Sequence, residues 1–334
     1  MKAVGFNQAG DPEVFIDVDA PTPEPGPRDL RVAVKAISVN PVDLKVRSGN
    51  FQVPGDPKII GYDAAGVVET VGPDVSLFKA GDEVYYSGTI NRPGTNAEYH
   101  LVDERIVGNK PKSLSFAQAA ALPLTGLTAW ELLFERLAIP RGKQVRTGTL
   151  LVINGAGGLG SILVQLARQL TDLTIVASAS RPETCEWVRK MGAHHTVNHH
   201  NPLDTEWESL GLGDANYVAC LTNTVHHMKA IAKLITPQGR LAVLDDGPLD
   251  ISALKPKSIT VSWEAVFTRP LFQTEDMVEQ HRILNEIARL VDAGTLVTTA
   301  RENLGAITAE NLRAAHGKVR SGSTIGKIVL SGFD

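Results

Sequence analysis

Apolar and polar residues alternate with a period of two through the first third of the chain, then give way to longer apolar runs. Residues 30–39, LRVAVKAISV, set Leu30, Val32, Val34 and Ala36 on one face, as in a half-buried strand. Residues 64–71 (AAGVVETV), 82–87 (DEVYYS) and 97–102 (AEYHLV) read the same way, separated by Gly, Pro and Asp turns. Residues 21–29, PTPEPGPRD, form a proline-rich surface loop. This pattern predicts a compact, mostly antiparallel β domain.

The pattern changes near residue 115. Ser115 with Gln118 three residues later is a capping box that opens a helix, and 126–137 predicts a second one. Strands and helices then alternate. The stretch 149–158, TLLVINGAGG, begins the alternation, strands are predicted at 173–180, 195–199, 216–222, 240–246 and 258–263, and helices at 161–170 and 182–192. Such alternation means parallel strands with crossover helices, a doubly wound α/β sheet. Residues 274–294 predict one long helix capped by Thr274, with Val278, Leu284, Ile287 and Val291 facing a core. The strand 326–332 has no nucleotide-domain partner and is expected to return to the β domain. For 334 residues two domains are expected: 1–123 with 265–334, and 124–264 between them.

Composition narrows the function. Hydrophobic residues make up 43%, enough for sizeable cores. Net charge is −4 with the charges well mixed, which argues against nucleic acid as a partner. The N-terminus lacks an apolar signal core, and the apolar stretch 119–134 is broken by Pro123 and Glu131, so a cytoplasmic protein without a membrane span is expected. Cys185 and Cys220 cannot build a disulfide framework or a cysteine-rich zinc site, and Cys220 reads as core. The histidines of 194–200, HHTVNHH, point different ways and read as surface, as do His226 and His227.

Gly155, Gly157 and Gly160 in VINGAGGLGS spell G-x-G-x-x-G between an apolar strand and a helical run. That context is what a dinucleotide site requires. Gly155 is expected to make the tight turn, Gly157 to admit a pyrophosphate, and Gly160 to let the helix approach the sheet. Gly158 and Leu159 complete the turn, and the phosphates would sit on the helix N-terminus. A purely structural strand–helix turn is the alternative. The second strand ends VASASRP, with Ser178, Ser180 and Arg181 in place of the carboxylate that usually binds the ribose of NAD. A serine and an arginine suit a 2′-phosphate, so NADPH is expected. Ser180 and Arg181 also suit the cap of the next helix.

Residues 61–72, GYDAAGVVETVG, together with 39–49, 96–130 and 266–272, resemble the medium-chain dehydrogenase/reductases over essentially the whole chain. The likeness is to their quinone-oxidoreductase side, and within it to the subfamily labelled zinc-type alcohol dehydrogenase-like. The resemblance implies a GroES-like catalytic domain with an inserted Rossmann domain and a homodimer. Zinc members bind the metal through a cysteine, a histidine in G-H-E, and a later cysteine or aspartate. Here those positions hold Ser38–Asn40 and Tyr62, so no metal is expected.

The resemblance also places Tyr62 where nicotinamide meets substrate. Tyr62 O–H and the Asn40 amide are the candidate donors to an enolate or hydroquinone anion, and Tyr62, Lys45 or water the proton source. A packed aromatic is the alternative for Tyr62, a turn before Pro41 for Asn40, and a solvated rim charge for Lys45. Lys45 stands where many quinone reductases carry tyrosine. Asp63 is expected to order its loop through backbone N–H groups. Thr128, Thr222, Phe267 and Lys327 are implied near the cofactor, and His199 beside its 2′-phosphate. The expected activity is zinc-independent, NADPH-dependent reduction of a small quinone or α,β-unsaturated carbonyl. A zinc alcohol dehydrogenase and a non-catalytic NADPH-binding redox sensor are the alternatives.

Overall fold

The computed structural model describes residues 1–143 and 148–333. It divides into two compact units, Met1–Leu127 with Phe267–Asp334, and Thr128–Val266. Among the described residues no helix is long and apolar enough to cross a membrane.

The first unit is mostly antiparallel sheet. Asp29–Ser38 is its central strand, and Leu30, Val32, Val34 and Ala36 are all buried, as the alternation predicts. It pairs with Ala64–Val71 and Tyr99–Asp103. The last strand, Lys327–Ser331, joins its end antiparallel, with Val329 opposite Ser38. Short strands at Lys2–Phe6 and Ile16–Asp19, and a helix at Ala309–Arg320, had no clear periodicity to announce them.

The other unit is one six-stranded parallel sheet. Its order is His195–Val197, Thr174–Ser178, Thr149–Ile153, Ala215–Cys220, Ile235–Val243, Thr260–Trp263. The first strand in sequence lies inside and the order reverses beside it, the doubly wound arrangement. Cys220 is fully buried within it.

Three local expectations are corrected. The helix expected over 126–137 is α-helical only to Trp130; Glu131–Arg136 is wound wider, with the Leu137 N–H reaching Leu132 O. The wider turn sets Arg136 Nε 2.9 Å from the buried Glu264 carboxylate. The long helix begins at Glu279, not Thr274, because the Thr274 hydroxyl bonds Asp276 instead (2.7 Å) and closes a separate turn. Its inward face is Ile283, Leu284, Ile287, Leu290 and Val291. His227 is buried rather than solvated, while His226 is exposed.

Candidate active site

In the parallel-sheet unit the strand Thr149–Ile153 runs into Asn154, at φ +68°, and the helix Gly158–Leu170 starts after Gly157. The left-handed residue of the turn is therefore Asn154, not Gly155. Gly155 and Gly160 each have a steric reason. A Cβ on Gly155 would stand 2.8 Å from Cβ of Ala177 on the neighbouring strand. A Cβ on Gly160 would stand 2.5 Å from Gly155 O and 2.6 Å from Asn154 O, so the helix packs against its own entering turn. At Gly157 the nearest atom would be Asn154 Nδ2, at 4.0 Å. Nothing in the protein requires glycine there. The open shelf lies over Gly157, Gly158 and Leu159, all partly exposed, at a helix start whose N–H groups lack intrahelical acceptors. Those features fit a dinucleotide pyrophosphate.

At the end of the second strand Ser178 is buried. Its Oγ accepts the Asn154 N–H (2.8 Å) and lies 3.0 Å from His199 Nδ1, so it ties the strand to the glycine turn. Ser180 and Arg181 are the partly exposed pair. Arg181 caps the helix Pro182–Lys190, its N–H donating to Thr184 Oγ1 (3.0 Å), while its Nε lies 3.3 Å from Glu183. Half-buried His199 is held below its usual pKa by burial and then by His200. Thr222 is partly exposed, and Thr128 is buried in this same unit.

In the antiparallel unit Gly61, at φ +111°, turns the chain so that Tyr62 and Asp63 enter the interior. A side chain at Gly61 would strike Asn96 Oδ1 at 2.4 Å, and Asn96 and Thr95 clamp the segment through Ile60 O and Gly61 O. Asp63 is fully buried. It takes one backbone N–H, from Leu124 (2.7 Å), a segment 61 residues away rather than its own loop. Its other oxygen accepts from Ser38 Oγ and Asn40 Nδ2, both at 2.7 Å, and lies 3.3 Å from Lys327 Nζ. Lys327 also donates to Val39 O (2.7 Å) and Asn40 Oδ1 (2.5 Å), so its three N–H groups face three protein acceptors. Asn40 is both the helix-capping residue before Pro41 and a member of this cluster.

Tyr62 is wholly buried, its ring edge-on to Phe267 at 5.5 Å, and its hydroxyl has no hydrogen-bond partner. Asp43 was missed as a site residue, although Asn40 followed three residues later by a carboxylate is a helix-start signal that points to it. Its Oδ2 accepts the Asn40 N–H (2.6 Å), and its buried Oδ1 has no partner. Lys45, one turn half-way further along, is partly exposed. Burial raises Asp63, with Lys327 and Asn40 opposing, and burial lowers Lys327, with Asp63 and Asp43 opposing. Asp43 is pushed up to about 7, by burial first. The Tyr62 phenol is pushed up by burial and then by the charge of Asp43.

A family model for the alcohol dehydrogenase GroES-like domain matches residues 26–121, and one for a zinc-binding dehydrogenase matches 191–330. A zinc-type alcohol dehydrogenase-like protein of Staphylococcus aureus (strain COL) is 40% identical over 337 residues, spanning 99% of this chain and 100% of the relative. The chain belongs to the medium-chain dehydrogenase/reductase superfamily. It is an oxidoreductase of that family, with a GroES-like domain and a Rossmann-type parallel-sheet domain. The solved structure of a Rhizobium etli CFN 42 protein named for a zinc-dependent alcohol dehydrogenase is 53% identical, with a TM-score of 0.96, covering 100% of this chain and 98% of that one. A chloroplastic NADPH-dependent alkenal/one oxidoreductase of Arabidopsis thaliana is 38% identical over 208 residues, 60% of this chain and 52% of that protein.

Zinc in those names can be tested on the donors. Among the described residues no three His, Cys, Asp or Glu side chains are grouped so as to hold a metal ion. Around Tyr62 the candidate donors are two carboxylates, one facing an ammonium and the other a backbone N–H, and a phenol whose pKa burial has raised. Zinc sites use deprotonated N, S or O ligands in tetrahedral array, and this donor set does not fit one.

Proposed function

We propose that this protein is an NADPH-dependent reductase of α,β-unsaturated carbonyl compounds or quinones that works without zinc. The observation that carries it is the Tyr62 hydroxyl, buried and unpartnered, beside a polar cluster with no metal-ligand geometry. The resemblance to the alkenal/one oxidoreductase supports both the substrate class and the cofactor.

Bound NADPH would supply the hydride. The Gly155–Gly160 turn would hold its pyrophosphate, and Ser180, Arg181 and His199 its 2′-phosphate. Thr128, Thr222 and Phe267 take the nicotinamide side in this scheme. Without a Lewis acid, alcohol oxidation needs another group to accept the hydroxyl proton and stabilise the charge. Reduction of a conjugated C=C asks less, since charge delocalises onto a carbonyl oxygen that a phenol can stabilise. Tyr62 is assigned that role. Asn40, whose amide is shared between Asp63 and Lys327, holds the cluster under it. Lys45 is kept as a rim residue able to return protons. A cytoplasmic homodimer completes the proposal.

The test is NADPH oxidation against a panel of enals, enones and quinones, with NADP⁺ and NAD⁺ binding measured by calorimetry. We expect turnover that survives chelation, and tighter binding of the phosphorylated cofactor by roughly tenfold or more, as one or two charge-assisted bonds provide. Essential stoichiometric zinc or preference for the unphosphorylated cofactor would refute it.

A further inference from the structure

Ser178 ends the strand Thr174–Ser178, and the neighbouring strand His195–Val197 carries the chain on to His199. Both residues lie at the carboxyl edge of the parallel sheet, beside the glycine turn, where open α/β sheets receive their ligands. Three groups form a chain there. The Asn154 N–H is 2.8 Å from Ser178 Oγ, and His199 Nδ1 is 3.0 Å from the same oxygen. Among the described residues Ser178 Oγ has no third partner, and the residue is 0% exposed. The donors then allow one arrangement. The Asn154 N–H can only donate, so it takes one lone pair of Oγ. A proton on Nδ1 would take the other and strand the serine O–H in the interior, which costs free energy. The O–H therefore donates to Nδ1. The bond made at one ring nitrogen decides where the other proton sits, so neutral His199 carries its N–H on Nε2, directed away from Ser178. Burial and then His200 hold the His199 pKa below its usual value, in the same sense. The titratable groups near it are His200, with ring centres 4.8 Å apart, and His227 of the helix Thr224–Leu234. The carboxylates of Glu206 and Asp245 already accept the N–H groups of Asn198 and Thr224.

We infer that Ser178 governs cofactor selection by locking His199 as an uncharged Nε2–H donor to the 2′-phosphate. This rests on the NADPH reading above. Ser178 is a positioning residue, and His199 the group that touches the phosphate. Arg181 meets the phosphate's charge, and His199 adds a hydrogen bond of fixed direction. Selection then needs no proton on the histidine. The same serine hydroxyl holds the Asn154 N–H, so the two phosphate sites of the cofactor belong to one hydrogen-bonded unit.

Nitrogen-15 NMR of the cofactor-free protein tests the lock directly. His199 should appear as the neutral Nε2–H tautomer and titrate below pH 6.5. In Ser178→Ala the neutral form loses its hydrogen bond, and the midpoint should rise by about one pH unit. Calorimetry supplies the second arm. The wild-type preference for NADP⁺ over NAD⁺ should stay within about twofold from pH 6.5 to about 8.5, where a cationic histidine would lose its proton and its share of the binding. His199→Gln keeps a neutral donor in place of Nε2–H and should bind NADP⁺ within about threefold of wild type. His199→Phe should bind it about tenfold more weakly, as loss of one charge-assisted bond implies. An Nδ1–H tautomer in the wild type, an unmoved midpoint in S178A, or a glutamine variant as weak as the phenylalanine one overturns the role of Ser178. A wild type with the expected tautomer that binds NAD⁺ as tightly as NADP⁺ overturns instead the NADPH reading on which selection rests.

Discussion

The glycine turn and the buried polar cluster are built from opposite materials. The turn is backbone: one left-handed Asn154, four glycines within six residues, and the open start of a helix. At Gly155 and Gly160 its constraint can be traced to an atom that a Cβ would meet. The cluster is side chain: Ser38, Asn40, Asp63 and Lys327 come from segments as much as 289 residues apart, and the Leu124 N–H closes it. A backbone site fails by steric intrusion at one position. A side-chain site fails electrostatically, because each member is the counter-charge or hydrogen-bond partner of another.

Removing one counter-charge should therefore be the harshest test. Asp63→Ala leaves the Lys327 ammonium, 3% exposed, hydrogen-bonded only to carbonyl oxygens. We expect a loss of about 3–5 kcal/mol in urea unfolding; a loss below about 1 kcal/mol would mean the cluster is not electrostatically interdependent.

Acid comes next. His100 is buried between the Tyr86 hydroxyl and Pro93 O, both at 3.0 Å, and burial holds its pKa at about 4. A folded pKa below the unfolded 6.5 means the native state binds fewer protons between the two values. That contribution is complete above pH 6.5 and is lost as pH falls toward 4, worth roughly 3 kcal/mol. Asp43, raised from 3.8 to about 7, works in the opposite direction across that window. The comparison of wild type with His100→Phe isolates the histidine: the variant's stability should fall less steeply with acid.

Gly160 and Gly157 then separate steric need from ligand need. Gly160→Ala drives a Cβ into backbone at 2.5 Å and should cost about 1–3 kcal/mol. Gly157→Ala meets nothing within 3.4 Å, so thermal unfolding should shift by less than about 0.5 kcal/mol. Its NADP⁺ affinity should nonetheless drop at least tenfold by calorimetry, as expected where backbone must approach a phosphate. Unchanged binding would make the turn merely structural.

The contrast also explains how much was legible in advance. Short-range rules found the turn, the strand 64–71 to the residue, and the Ser115–Gln118 cap, since each is decided by neighbours in sequence. They missed the left-handed Asn154, because G-x-G-x-x-G directs attention to its glycines. They misplaced the start of the long helix, where Asp276 draws the Thr274 hydroxyl into a turn. They could not foresee the bond from Lys327 to Val39 O, because a partner 288 residues distant leaves no local pattern, and they passed over Asp43 although its link to Asn40 is local. Ser178 teaches the same lesson within the Rossmann-type unit: its hydroxyl serves the turn through Asn154 and His199, contacts fixed by sheet order.

The seclusion of Lys327 has a practical corollary. An amine with all its hydrogens committed and almost no surface cannot react with an acylating reagent while the strand Lys327–Ser331 stays docked. Labelling at that one lysine would therefore run at the rate of transient opening, giving a chemical stopwatch for fluctuations of the chain's C-terminal strand.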